Sequence, residues 1–491
     1  MPLHLPTLSA LLLLAMASIA SGQPIKPVAN DGPVSFYKDI RPILQQNCQG
    51  CHQPAKTQGG YVMTEYATIL KPGETGKPTI VPGNPDASYL VQEIRVLRDG
   101  SHEMPKGRDP LPSTQIQLVE RWVKEGAKDD TPASAKAVLV DSEHPPVYLA
   151  LPVVTSLAFS PDGQYLAATG YHEVIVHKAD GSGAIARLVG ESERVQSLAF
   201  SPDGKRLAVA GGSPGRFGEI QIWDVAKQKL QVSSPLTFDT LFGASWSPDG
   251  KIVAFGCADN TVRAIDSLTG KQVLQMGTHS DWVLGTAFSQ DGLHLASIGR
   301  DMTMKLTDVP TQRFVDNITS ITPGALKGGL MAIDRRPMPV KTMQKIPADT
   351  PGAKPNAYDE LLVAGSDGIT RLYKMHREVK REIGDDSNKV KQFEAMPGRI
   401  STAKFNADGK RFAAASSLDG KGEIRIFDTD TGKKIILENA TTPAYTVAWK
   451  ADGKVLASAG FDGKIWLHDT VTGKLLKEFA VTKIDEKKAS R

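Results

Sequence analysis

Phe200-Ser201-Pro202-Asp203-Gly204 is a tight-turn string set between two apolar runs, and it recurs along the chain. Proline presets the turn, the serine and aspartate oxygens can take up its free amides, and glycine supplies left-handed backbone. The string stands again at 159–163 and, with Trp246 in place of the phenylalanine, at 246–250. It returns in varied form at 288–292 (Ser-Gln-Asp-Gly), 405–409 (Asn-Ala-Asp-Gly) and 449–453 (Lys-Ala-Asp-Gly), each time behind Phe or Trp. Successive copies lie 41, 46, 42, 117 and 44 residues apart. Within each unit short β-runs alternate with Asp-Gly turns, the hairpin signal. A third run ends in an aromatic ring and usually an aspartate, as in Ile222-Trp223-Asp224, Leu372-Tyr373, Ile426-Phe427-Asp428 and Leu467-His468-Asp469. The wide gap is close to two units plus a Pro-, Lys- and Met-rich insertion near residues 335–355, after which Leu361-Leu362-Val363-Ala364-Gly365 resumes the pattern.

A period of about 40–45 residues with this punctuation resembles the WD40 repeats. The resemblance runs over residues 148–482 and implies an all-β, seven-bladed propeller that serves as a protein-docking platform. The fourth unit keeps the most family detail. His279, Asp281, Ser297 and Asp301 match the histidine, serine and aspartate positions of the internal hydrogen-bond network, and Thr307 departs where a tryptophan would stand. His279 and Asp301 are therefore expected to be structural, a buried pair that satisfies polar groups between strands. His172, His177, His294, His376 and His468 are scattered without metal-ligand spacing. Cys257, within the apolar run 252–257, is expected to be a buried core thiol. No phosphate loop or zinc pair occurs, so the repeats point to no chemistry of their own.

Chemistry enters ahead of the repeats, at Cys48-Gln49-Gly50-Cys51-His52. C-x-x-C-H is the attachment string of c-type haem: both thiols add to the vinyl groups and the adjacent imidazole ligates iron. The chain's third cysteine, Cys257, is too isolated to complete a zinc site, which takes about four ligands. Before the string, Ser35 can cap a helix with Phe36, Ile40, Ile43 and Leu44 on one face, kinked or restarted at Pro42. Beyond it, a helix starts at Ser113 or Thr114, with Thr114-x-x-Gln117 as a capping box. Ile116, Val119, Trp122 and Val123 form its apolar face, and Gly126 ends it. Met104, in the loop before that helix, is the favoured second axial ligand. Met63 and His102 are its rivals.

Residues 36–130 resemble the planctomycete-type cytochrome c domain. The matching pieces are Asp39-Ile40-Arg41-Pro42-Ile43-Leu44, Cys48 to His52, Gly59-Gly60, Val81-Pro82-Gly83-Asn84-Pro85, Ser88-Tyr89-Leu90, Met104-Pro105, Leu111, and Trp122 through Gly126-Ala127. Lys106 departs, standing where the family usually continues with a second proline. The resemblance implies a small all-α cytochrome c domain over 33–130. It would carry one covalent haem c on Cys48 and Cys51, with His52 and Met104 as the iron's axial ligands.

Such attachment happens outside the cytoplasm, and the apolar run 8–19 followed by Ala20, Ser21 and Gly22 suits an export signal over residues 1–22. No later stretch approaches a membrane-spanning length, so a periplasmic or otherwise exported location is expected. Residues 131–147 form the expected linker. The net charge of +4 over 491 residues, with 13 basic and 13 acidic side chains in 23–131, carries no nucleic-acid footprint. The expectation is single-electron transfer to redox partner proteins, not enzymatic turnover. A redox enzyme with a second cofactor in the propeller, and a haem-based sensor or scaffold, are the alternatives.

Overall fold

The computed structural model describes residues 32–48, 52–53, 56–63, 65–106, 109–132, 140, 144–322, 325–337, 359–382 and 384–485. The expected export signal, most of the expected linker, Cys51 and residues 338–358 of the insertion lie outside these residues.

In the front segment the Ser35 hydroxyl accepts the Lys38 amide at 2.9 Å and starts a π-helical turn, Phe36–Ile40. At Pro42 the turn passes into α1 (Arg41–Asn47), where proline's missing N–H lies in the first turn and costs nothing. Short helices α2 (Tyr66–Ile69) and α3 (Tyr89–Ile94) follow, then α4 (Ser113–Lys124). Ile116, Val119, Trp122 and Val123 are all buried, as the apolar face of α4 requires. The helix ends where Gly126, at φ +98°, gives its amide to the Val123 carbonyl at 3.0 Å. The capping box expected at Thr114 does not form. Pro112 stands at the N-cap with no side-chain cap bond, and α4 begins one residue ahead of Thr114.

The front segment is not all-α, which corrects the expectation. His52–Gln53 pairs antiparallel with Lys56–Thr57, and 70–88, 95–106 and 109–112 are loops. Pro72, Pro78, Pro82, Pro85, Pro105 and Pro110 explain the loops, because each removes a helix donor and biases the preceding residue away from helix. One apolar cluster nevertheless unites the segment, with Phe36, Ile40, Leu44, Val91, Trp122 and Val123 at its centre. Phe36 stacks on Trp122 at 5.4 Å and meets Tyr66 edge-on at 5.2 Å.

Among the described residues the rest is mainly β-structure: five four-stranded antiparallel sheets and one of seven strands. The seven-stranded sheet holds a long strand, Ala184–Phe200, whose first part pairs back to Tyr171–Lys178 and whose last part pairs on to Arg206–Ser213. It therefore contains two meanders joined through one strand. The repeat units span 157–189, 194–237, 241–276, 283–317, 330–392, 399–436 and 444–480. Each recurrent string makes the first hairpin of its unit. At the turn opened by Ser201, Gly204 adopts φ +70° and donates to the Ser201 carbonyl at 2.8 Å. The Ser201 hydroxyl accepts the Arg206 amide at 2.9 Å, and Asp203 accepts the Lys205 amide at 3.1 Å.

Apolar clusters lie between successive units; Ala208 and Ile222 of the second unit meet Val253 and Phe255 of the third. Full burial of an aliphatic side chain contributes about 1.5–3 kcal/mol, so these seams, not single bonds, hold the sheets together. The first strand of the last unit, Ala444–Trp449, packs beside that of the first, Leu157–Phe159. There the Leu157 amide donates to Thr446 Oγ1 at 2.9 Å, and the Val154 amide to the Gly460 carbonyl at 2.9 Å.

Candidate cofactor site

The front segment encloses a cavity of about 310 Å³ whose walls include Cys48, His52, Tyr61, Met63, Met104 and Lys106. Local backbone explains how the first two reach it. The Cys48 amide bonds the Leu44 carbonyl at 2.9 Å, continuing α1 by one residue, and the His52 amide bonds back to the Cys48 carbonyl at 3.1 Å. The turn thus carries cysteine and histidine to one wall. Cys51 lies outside the described residues.

The His52 ring is half-buried and its Nδ1 is shut off from solvent with no hydrogen-bond partner. Burial lowers its pKa from the ordinary imidazole value, against the opposing pull of the Gln58 and Tyr61 carbonyls. The ring is therefore neutral at pH 7, the state a metal ligand needs. Tyr61 stands edge-on to it, ring centroids 5.7 Å apart, and anchors its hydroxyl on the Ile69 carbonyl at 2.7 Å. Desolvation drives the Tyr61 pKa well up, so the phenol stays protonated. A buried imidazole nitrogen without a partner, apolar walls, a thiol and two thioethers fit a haem.

Of the three candidate second ligands, Met104 and Met63 line the cavity; His102 is not among the lining residues. Met63 is 3 % exposed, and its amide bonds the His52 carbonyl at 2.8 Å, so it shares the histidine's wall. Met104 is half-buried and hangs from the end of α3, its amide on the Glu93 carbonyl at 2.9 Å. Tyr61 was not singled out in the sequence. Its only signal there is its place directly after Gly59-Gly60.

In the repeats, His279 Nδ1 meets Asp301 Oδ2 at 2.9 Å and its Nε2 meets Ser297 Oγ at 2.8 Å, buried between strands as a structural network. Asp281 stands aside and accepts its neighbour Trp282's amide at 2.7 Å. Cys257 is fully buried, and desolvation pushes its thiol up to about 12, which keeps it inert.

Comparison with known proteins divides the chain the same way. Residues 48–107 match the family model Planctomycete cytochrome C. Residues 150–176 and 183–224 match WD domain, G-beta repeat, and 239–290 and 437–486 match the Anaphase-promoting complex subunit 4 WD40 domain. The chain thus combines a planctomycete cytochrome C segment with WD40 repeats. Among curated relatives, the Serine-threonine kinase receptor-associated protein of Gallus gallus is 21% identical over 48% of this chain and 68% of its own length. The Guanine nucleotide-binding protein subunit beta of Arabidopsis thaliana is 23% identical, over 55% and 67%. Periodic tryptophan protein 2 of the same plant is 21% identical over 53% of this chain but only 25% of its own length.

Proposed function

We propose that this chain is an exported c-type cytochrome that passes single electrons through one covalent haem, with the repeats closed into a seven-bladed propeller on which partner proteins dock. The observation that carries the reading is the one cavity lined together by Cys48, His52 and the Met104 thioether. The haem supplies reversible one-electron chemistry at its iron. The chain's own residues set its terms. Cys48 and Cys51 anchor it, His52 offers a neutral nitrogen from one wall, and Met104 offers sulfur from the loop after α3. Met63 is the poorer second ligand because its backbone is tied to that of His52, on the same side. Held by both the His52 nitrogen and the Met104 sulfur, the group would favour electron transfer over oxygen or peroxide chemistry, which needs an open position. Tyr61, edge-on to the His52 ring, covers that side of the site.

The propeller reading rests on seven repeat units and on the contact between the first and last. Relatives whose names record association with a receptor kinase and with guanine nucleotides make a binding platform the natural role for it.

The test is the optical spectrum of the purified exported protein, oxidised and reduced, with haem counted after acid–acetone extraction. One non-extractable low-spin haem per chain with a methionine–iron charge-transfer band is expected. An extractable second chromophore, or a high-spin site that binds small ligands, would overturn the carrier role in favour of an enzyme or a sensor.

A further inference from the structure

Two junctions between neighbouring units are strapped by an arginine in the same register. Arg206 opens the second strand of its unit and reaches the next one, bonding the Gly250 carbonyl at 2.7 Å and Ser267 Oγ at 2.9 Å. Arg411 does the same further on, bonding the Gly453 carbonyl at 3.0 Å and the Thr470 carbonyl at 2.9 Å. The fourth unit has His294 at this place. Its shorter side chain makes no such strap. Instead it meets His376 of the fifth unit, ring centroids 4.7 Å apart and planes at 82°. Both residues are 9 % exposed, and His294 Nδ1 is buried with no hydrogen-bond partner. Its Nε2 lies 3.8 Å from Asp308 Oδ2, beyond hydrogen-bond range. Asp308 Oδ1 is already engaged by the Thr311 amide at 2.9 Å, so Oδ2 is the oxygen turned to the ring.

We propose that His294 and His376 bind one borderline divalent transition-metal ion, zinc or its like, which ties the fourth unit to the fifth where the sister junctions use arginine. Imidazole nitrogens are preferred ligands for such ions. With metal–nitrogen bonds of about 2.0–2.1 Å and an angle between 90° and 109°, two imidazoles on one ion place their centroids about 4.5–5.2 Å apart. The observed separation falls in that window. The second nitrogen of a metal-bound histidine commonly donates to a carboxylate, which fixes the ring and raises its basicity. His294 has that arrangement in outline: Nδ1 for the ion, Nε2 turned to Asp308. Among the described residues no group of three or more histidine, cysteine or carboxylate ligands assembles. Water completes the coordination, and binding is accordingly modest, as for an open site.

The experiment uses the full-length protein, stripped with a chelator and titrated calorimetrically with zinc chloride, with the melting of the β-sheet signal followed alongside. One equivalent of zinc should bind at least tenfold more weakly in His294→Gln and in His376→Gln, and unchanged in His144→Gln. Zinc should raise the melting temperature of the wild type and not of the first two variants. Equal uptake and equal melting shifts in all four proteins would overturn the site. If a variant does not fold, X-ray absorption of the zinc-loaded wild type decides. Two imidazoles on the ion support the proposal, and one or none overturns it.

Discussion

The two thioethers of the cofactor cavity separate at the level of single residues. Met104→Ala should leave the haem covalently attached, remove the methionine–iron band and let cyanide or imidazole bind at the sixth position. Met63→Ala should keep the band and lose stability, about 2–4 kcal/mol in thermal or denaturant melts, since a buried methionine is replaced by a cavity. The reverse pattern would make Met63 the ligand. Asp301 supplies a pH test. Burial alone would raise its pKa; the bonds from His279, Ser280 and Thr303 outweigh this, and the carboxyl lies below its ordinary 3.8. A depressed carboxylate contributes stability that is complete above the unfolded pKa and lost as the pH falls through the folded one. Asp301→Asn should therefore be less stable than the wild type at neutral pH, with the gap narrowing below about pH 4 in denaturant titrations. A pH-independent gap would remove ionisation from the account of this network.

At the level of elements, the recurrent turn makes a sharp prediction. Gly204 needs φ +70°, and a Cβ there would come within 3.3 Å of Pro161 Cδ. Gly215→Ala should cost about 1–2 kcal/mol from left-handed strain alone, and Gly204→Ala more than that because Pro161 must also give way, both read from the denaturant midpoint. Gly215 has nothing near its missing Cβ. How far the chain could be read in advance follows from the same elements. The repeat turns were legible because each is local: serine, aspartate and glycine satisfy a hairpin within five residues. So were the start of the π-helical turn ahead of α1, which Ser35 caps, and the end of α4, which Gly126 stops. The front loops were not legible as such, because proline abundance competes with an apolar spacing that suggests more helix. In the candidate site, the C-x-x-C-H spacing marks Cys48 and His52, and both line the cavity. Tyr61 and the His294–His376 pair carry no such mark, because only the tertiary course of the chain brings them beside their partners.

The whole molecule meets itself where the first and last units touch. His177 of the first unit is buried edge-on against Phe479 of the last, ring centroids 5.3 Å apart. Burial holds its pKa down to about 4 from 6.5. The unfolded chain takes up this proton first, so stability is complete above pH 6.5 and is lost as the pH falls toward 4, by about 3 kcal/mol. His177→Leu should flatten that part of the stability profile. An unchanged slope in the variant would assign it to other groups. The front segment has its own apolar cluster, separate from those of the repeats, so Cys48→Ala with Cys51→Ala should abolish covalent haem while the repeat region still melts cooperatively.

The strand Ala184–Phe200 has a mechanical consequence. Five of the sheets can be peeled one at a time by tension on the chain ends, each ladder ending at a loop. The first two meanders share an unbroken strand, so load applied to one is carried along that strand into the other. In an optical trap they should rupture as a single step, larger than that of any one four-stranded sheet.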